Sequence, residues 1–313
     1  VLKAMAPFHP LIFDRRLLRQ RRARAAALGP ATFLIERVAE DLSDRLATVL
    51  RRFECAVDLG TPSDAVRAVL AASGKVGTVV AAAPSFALPG EGASLVGAVA
   101  ADEEALPFRD AALDLVVSAL ALQFVNDLPG TLVQVRRALK PDGLLLAALI
   151  GGDTLIELRQ AFAAAEAEIE DGISPRIIPF ADVREMGALL QRAGFALPVT
   201  DVDRLTVRYD SAIALMHDLR RMGATNPMIE RSRRPLRRAT VRRMTEVYAE
   251  RFADGDGRIR ATFEIVWLAG WAPHASQQKP LAPGSAKQRL ADALGTKEMP
   301  LPGGGKPPSS EGG

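Results

Sequence analysis

The sequence predicts an α/β fold: a doubly wound, mostly parallel sheet of seven strands, with helices ahead of it and a helical insertion before the last strands. Three observations predict it. Five short apolar runs alternate with helical stretches between Cys55 and Gly151. These runs are apolar throughout rather than on alternate residues, as strands covered on both faces of a sheet must be. Two further strand-like stretches then arrive late, after a helical region, and suit an antiparallel pair added at one edge.

Taken in order, Phe13 to Leu50 has helical periodicity, with Pro30 between an arginine-rich first helix and a second that carries Phe33, Ile35, Val38, Leu42 and Leu46. The five runs follow: CAVDLG at Cys55, VGTVVAAA at Val76, LVGAVAA at Leu95, LDLVVSAL at Leu113 and GLLLAALIG at Gly143. Beyond Gly151, helices are expected from Thr154 to about Ile169 and from Asp182 to Ala193. GFALPVTDVDRLTVRY, from Gly194, reads as a strand region. Helices over Ala212 to Met222 and Pro235 to Phe252 lead to a DGDG turn at Asp254 to Gly257 and a last strand from Ala261 to Trp271. The stretch from Gln277 onward is rich in Pro, Gly, Lys and Ser, the composition of a disordered tail. Residues 1–52 are therefore expected as N-terminal helices forming a lid, 53–276 as the sheet domain and 277–313 as the tail.

Of the 313 residues, 48% are hydrophobic, ample for a core, and the formal net charge is +3. The excess of charge is local. Six arginines lie from Arg15 to Arg24 and seven from Arg231 to Arg243. Both clusters are interleaved with apolar residues at helical spacing (Leu17, Leu18; Leu236, Val241, Met244), which reads as the exposed face of an amphipathic helix. No nucleic-acid module accompanies them, so an acidic protein partner or an anionic cofactor is expected rather than nucleic acid. The single cysteine, Cys55, sits in an apolar run and reads as a core residue, and one cysteine excludes a disulfide framework. His9, His217 and His274 do not pair at metal-ligand spacing, so no metal is expected. The longest apolar stretch, Leu144 to Ile150, is far short of a membrane span, and the first residues lack the order of a secretory signal. A cytoplasmic chain, with peripheral contact to a membrane complex, is the expectation.

In a doubly wound sheet the ligand lies at the carboxyl ends of the strands, and the loop after the first strand cradles it. That loop is DLGTPSDA, Asp58 to Ala65. Gly60 stands where backbone must approach a ligand, but Pro62 and Asp64 take positions that small residues normally hold, and proline offers no N–H. The second strand should end in an acid that binds ribose hydroxyls, yet Val79 to Phe86 contains no carboxylate. After the third strand, ADEEALPF makes Asp102 and Glu103 candidates for an adenine amino group, beside the reading of ordinary acids at a strand end. Asp153 reads as a cap for the helix starting at Thr154 rather than as a base, and Gln123 cannot abstract a proton. Asn226, Trp271 and His274 are candidates for a protein-substrate groove, with core packing the alternative for Trp271.

The ordered string from Leu113 to Leu149, a fourth strand, a helix with Leu128, Leu132, Val135 and Leu139, and a KPDG turn into a fifth strand, resembles class I S-adenosylmethionine-dependent methyltransferases. FDRRLLRQRRARAA, ADEEALPF, VVSALALQFVNDLP, LKPDGLLLAALIGGDTLIELR, SPRIIPF, RAGF, DLRRMGATN and GWAPHASQ further resemble the complex I assembly factor 5 family, from Phe13 to about Ser285. A malonyl-carrier-protein methyltransferase is similar over the methyltransferase core only. The family resemblance implies a matrix-side protein if eukaryotic, or a bacterial one, that assists assembly of NADH:ubiquinone oxidoreductase. It further implies a link to hydroxylation of an arginine on an iron-sulfur subunit. By the same resemblance, S-adenosyl-L-methionine would contact Asp58, Gly60, Thr61, Asp102, Glu103 and Ser118, and a substrate would meet Gln123, Gly152, Asp153, Asn226, Trp271 and His274. The chain departs from the family pattern in the glycines after Gly60, in the acid after the second strand, and at Gln123 and Phe124, where the family has His-Trp. Three readings follow: a methyltransferase acting on a protein, a non-catalytic assembly factor with a degenerate cofactor site, and a carrier-protein or small-molecule methyltransferase.

Overall fold

The computed structural model describes residues 11–84, 97–170, 172–180, 182–278 and Gly295. Two helices come first, α1 (Arg15–Ala27) and α2 (Phe33–Thr48), and the remaining elements are β1 (Phe53–Leu59), α3 (Ala65–Ala72), β2 (Val76–Ala83), β3 (Gly97–Ala100), β4 (Leu113–Ala119), α4 (Leu128–Ala138), β5 (Leu139–Ile150), α5 (Ile156–Ile169), α6 (Val183–Arg192), β6 (Ala196–Tyr209), α7 (Ala212–Arg221), α8 (Arg238–Phe252) and β7 (Ile259–Trp271). The strands form one seven-stranded sheet in the order β3-β2-β1-β4-β5-β7-β6. The first five are parallel, and β7 runs antiparallel to both β5 and β6. The doubly wound sheet with an antiparallel edge pair is the expected fold. Val1–His274 form one compact unit and Ala275–Gly313 another, and residues 279–313 of the expected tail, Gly295 apart, lie outside the described residues.

The central strands are apolar on both faces because both faces are covered. Along β5, Leu145, Ala147 and Leu149 join one core with Leu132 and Val135 of α4 and Leu189 and Leu190 of α6. Their alternates Leu144, Leu146 and Ala148 join a second with Val38, Leu42 and Leu46 of α2 and Val66 and Leu70 of α3. A strand's two-residue period sends successive side chains into different cores. A third core gathers α5, α7 and α8 around Tyr248, Phe263 and Leu215 beside the antiparallel edge. Cys55 is half-buried and packs against the first core; burial, then the nearby Asp114 carboxylate, raises its thiol above the ordinary value.

Some boundaries differ from expectation. The KPDG stretch lies within β5, where pairing to β4 shifts register between Leu113 and Leu115, so it is a bulge rather than a turn before the strand. Asp142 takes the left-handed conformation there (φ 64°), and a Cβ at Gly143 would meet the Lys140 carbonyl at 2.9 Å. The fifth helix begins at Ile156 rather than Thr154, after Leu155 turns at φ 56°. The eighth begins at Arg238 rather than Pro235.

Candidate functional site

The carboxyl ends of β1, β3, β4 and β5 form the rim where a doubly wound sheet binds its ligand. α1 lies across this rim, held by the segment before it. Asn126 Oδ1 accepts hydrogen bonds from the Ile12 and Phe13 N–H groups at 2.8 and 2.7 Å, while Asp14 N donates to Pro227 O at 2.8 Å. Phe13, Leu18, Phe124, Ile178 and Met228 pack together beneath. Asp14 caps the helix by accepting from Leu17 N at 2.9 Å.

The arginines of α1 do not simply form the outward face expected of an amphipathic surface helix. Arg15 Nη2 lies 2.9 Å from Asp102 Oδ1 and also donates to Glu103, and Arg15 Nη1 reaches the Phe124 carbonyl at 3.3 Å. Arg22 approaches Glu103 at 3.9 Å and stands 5.6 Å from the centroid of the Phe124 ring; Arg19 approaches Asp102 at 3.7 Å. Arg21 donates to the Thr225 and Asn226 carbonyls. Glu103 is only 1% exposed, so desolvation makes its charge costly unless a cation meets it. That need turns Arg15 and Arg22 inward; Arg16, Arg19 and Arg24 remain exposed.

Asp58, also 1% exposed, pairs with Arg67 of α3 at 2.6 Å, while its other oxygen has no hydrogen-bond partner among the described residues. Burial pushes this carboxyl up to about 6, and neighbouring Thr61 and Arg67 limit the rise. Gly60 adopts φ 71°, and a Cβ there would stand 2.5 Å from Glu103 Oε1. The space over Gly60, where a nucleoside would approach the backbone, is thus filled by the Glu103 carboxylate. Asp58 and the acid pair, expected to meet S-adenosylmethionine, are here matched to the chain's own guanidiniums, and no carboxylate lies between Val79 and Pro84. The positions Ser85 and Phe86 lie outside the described residues.

Thr61 and Ser118 serve the sheet: Thr61 Oγ1 accepts from Ala119 N at 3.1 Å, and Ser118 Oγ donates to Leu59 O at 2.7 Å, each tying β4 to the end of β1. Gln123 folds back to donate to Leu120 O at 2.9 Å and borders a neighbouring cavity, as does Asn226, whose amide donates to Pro175 O at 2.7 Å. Gly152 is half-buried just beyond β5. Asp153 does not cap the helix after it; its side chain pairs with Arg204 of β6. Trp271 and His274 are not brought to this rim. Trp271 pairs with Leu144, six residues before the end of β5 at the rim, because β7 is antiparallel and runs away from that rim, and His274 is exposed three residues on. Arg15, Arg22, Arg67 and Asn126 were not singled out in the sequence, and Phe124 was marked only as a departure from the family pattern. The arginine run was a signal for two of them; a lone asparagine clamping a segment 113 residues away carries none.

A methyltransferase-domain family model matches residues 57–147. The YcgJ protein of Bacillus subtilis superposes with a TM-score of 0.52 at 14% identity, covering 75% of this chain and 99% of that one, a likeness of fold. Among curated proteins, the mitochondrial arginine-hydroxylase NDUFAF5 of Danio rerio is 37% identical over 286 residues, 90% of this chain and 89% of that protein. The NDUFAF5 of Homo sapiens is 39% identical over 300 residues, 94% and 86% of the two chains. The chain belongs to the arginine-hydroxylase NDUFAF5 family. This is the complex I assembly factor 5 family of the sequence reading, and its members carry the class I methyltransferase fold. The NDUFAF5 relatives are mitochondrial by name, in line with the expectation for a eukaryotic form; a cytoplasmic location finds no support in them. The malonyl-[acyl-carrier protein] O-methyltransferase of Laribacter hongkongensis is 41% identical over 186 residues, 59% of this chain and 60% of that protein. Among the described residues no helix is long and apolar enough to cross a membrane.

Proposed function

We propose that Asp102 and Glu103 receive the guanidinium of an arginine on a protein partner, a complex I iron-sulfur subunit, and that the chain acts on this arginine during complex I assembly. The observation that carries the reading is the seat Arg15 now occupies: two carboxylates and the Phe124 carbonyl around one guanidinium, beside Arg22, which lies over the Phe124 ring. Charge-assisted hydrogen bonds to a planar fork select arginine over lysine, whose ammonium is a compact point charge. A partner arginine would enter by displacing Arg15, and the relatives' name, arginine-hydroxylase, is consistent with an arginine as the residue acted on.

The second reading, a non-catalytic assembly factor, draws on Glu103 lying over Gly60 and on Arg67 holding Asp58. Methyl transfer to a carrier protein has less behind it, since similarity to the carrier-protein methyltransferase spans 59% of the chain.

Binding of an arginine-bearing peptide from the iron-sulfur subunit, followed by fluorescence anisotropy, tests the proposal. Replacing the peptide arginine with citrulline or lysine should weaken binding about tenfold or more, and Glu103→Gln should do the same. Arg15→Gln should strengthen it by vacating the seat. Mass spectrometry of the peptide after incubation with this chain in aerated cell extract, which supplies dioxygen and a reductant, should find one added oxygen on the arginine, whereas the non-catalytic reading predicts binding alone. Equal affinity for the arginine and citrulline peptides would overturn the proposal.

A further inference from the structure

A cavity of about 340 Å³ lies beside the acid cleft, among α1, α5, α7 and the loops over 174–180 and 222–236. Its walls are mostly aliphatic and aromatic, including Leu158, Phe162, Met216, Leu236 and Phe263, with Arg176 and Arg231 also lining it. A second recess of about 190 Å³ is lined by Arg21, Arg24, Arg220 and Thr225. Arg21, Arg220 and Thr225 line both spaces, so the cationic recess adjoins the apolar one.

No carboxylate is among the described residues that line either space. Arg24 and Arg220 are exposed and form no ion pair with a described residue, and Arg21 donates to the Thr225 and Asn226 carbonyls, with the Asp14 carboxylate acting on it without an ion pair among the described residues. Other cations nearby are already answered, Arg176 by buried Glu166 and Arg231 by Asp14 at 3.7 Å. Burial, and after it the charges of Arg231 and Arg24, lower the Arg21 guanidinium below its ordinary value, a sign of crowded positive charge. Arginines in the last turns of α1 and α7 complement the negative carboxyl ends of those helices, which accounts for Arg24 and Arg220 singly. It does not account for three guanidiniums lining one recess beside an apolar chamber.

We infer that this cavity binds a single alkyl or acyl chain capped by a phosphate, the chain lying in the apolar chamber and the phosphate on Arg21, Arg24 and Arg220. A guanidinium fork matches phosphate oxygens, so three of them suit a phosphate better than a neutral polar head. The chamber is within the size range of pockets that enclose small ligands. Neither a bare anion nor a neutral hydrocarbon satisfies both parts: the first leaves the chamber unfilled and the second leaves the arginines without a counter-charge. This ligand site is separate from the proposed arginine seat, and its failure would leave that reading untouched.

Calorimetric titration of the whole chain with dodecyl phosphate, below its micelle concentration, tests the inference. Dodecyl phosphate should bind, with affinity rising about fourfold per methylene along the series from hexyl to dodecyl phosphate. Dodecanol should bind at least about tenfold more weakly. The double variant Arg24→Gln/Arg220→Gln alters two exposed residues and should keep the parent melting temperature while losing about tenfold or more in affinity. Lauroyl lysophosphatidate and lauroyl phosphopantetheine, titrated separately, distinguish a lipid from a carrier-borne source, and binding of either supports the site. Affinity independent of chain length, inorganic phosphate binding as tightly as dodecyl phosphate, or an unchanged double variant would each overturn it. The chain-length series needs no variant, so misfolding cannot shield the inference.

Discussion

Asp58 and Glu103 are both 1% exposed, and each meets a guanidinium from a different helix. Burial drives the Asp58 carboxyl up to about 6. From about pH 4, where an unfolded aspartate ionises, to about pH 6, the folded chain retains a proton that the unfolded chain has lost. Stability from this group is therefore greatest below that window and falls as pH rises through it. Asp58→Asn removes the effect. The stability difference between parent and variant, from urea unfolding at the two ends of the window, should shift against the parent by on the order of 2 kcal/mol as pH rises. A difference that is flat with pH would show that Asp58 is ionised throughout. The two residues illustrate how far single positions are legible. Both were marked as acids at strand ends, but their partners Arg67 and Arg15 were not, since an ion pair between α1 and the β3 loop spans 88 positions.

At the scale of elements, α1 and α2 are neighbours in sequence and unlike in attachment. α2 buries Leu34, Ile35, Val38, Ala39, Leu42 and Leu46, whereas α1 buries only Leu18 and Ala25 and depends on Arg15, Arg21 and Arg22 for its docking. Each buried leucine or isoleucine contributes about 1.5–3 kcal/mol, so α2 is the more firmly held by several such increments. Hydrogen exchange should find α1 amides opening without global unfolding, at least about a hundredfold less protected than those of α2. Equal protection of the two helices would contradict α1 as a detachable cover, and with it the entry of a partner arginine at the seat of Arg15. The periodicity of both helices was readable in advance; the inward turn of three arginines was not. A polar face looks the same in sequence whether it meets water or a buried carboxylate.

Across the whole molecule, stability rests on the two cores that sandwich the parallel strands. Leu145 is fully buried in the first of them. Leu145→Ala should lower the free energy of unfolding by about 2–5 kcal/mol through lost burial and a residual cavity. Measured by chemical denaturation, a loss under about 1 kcal/mol would mean that the layer relaxes around the gap. The strand order follows from the same layering. Doubly buried runs were recognisable because they are apolar at every position, and β6 and β7 because they follow a helical region. Their antiparallel direction then carries Trp271 away from the rim that holds the site, which removed it and His274 from a groove with Gln123 and Asn226.

The sequence by itself determined the α/β class, the sheet with its late edge pair, the paired acids after β3 and the family. All of these are written in local periodicity or in contiguous motifs, where neighbouring residues carry the information. Only the tertiary structure decided that Glu103 covers Gly60, that α1 supplies the counter-charges, and that Arg21, Arg24 and Arg220 meet beside an apolar cavity. Those facts depend on desolvated charges finding partners across distant segments. The energy of such a pairing depends on separation in space and on exclusion of water, neither of which is encoded in position along the chain.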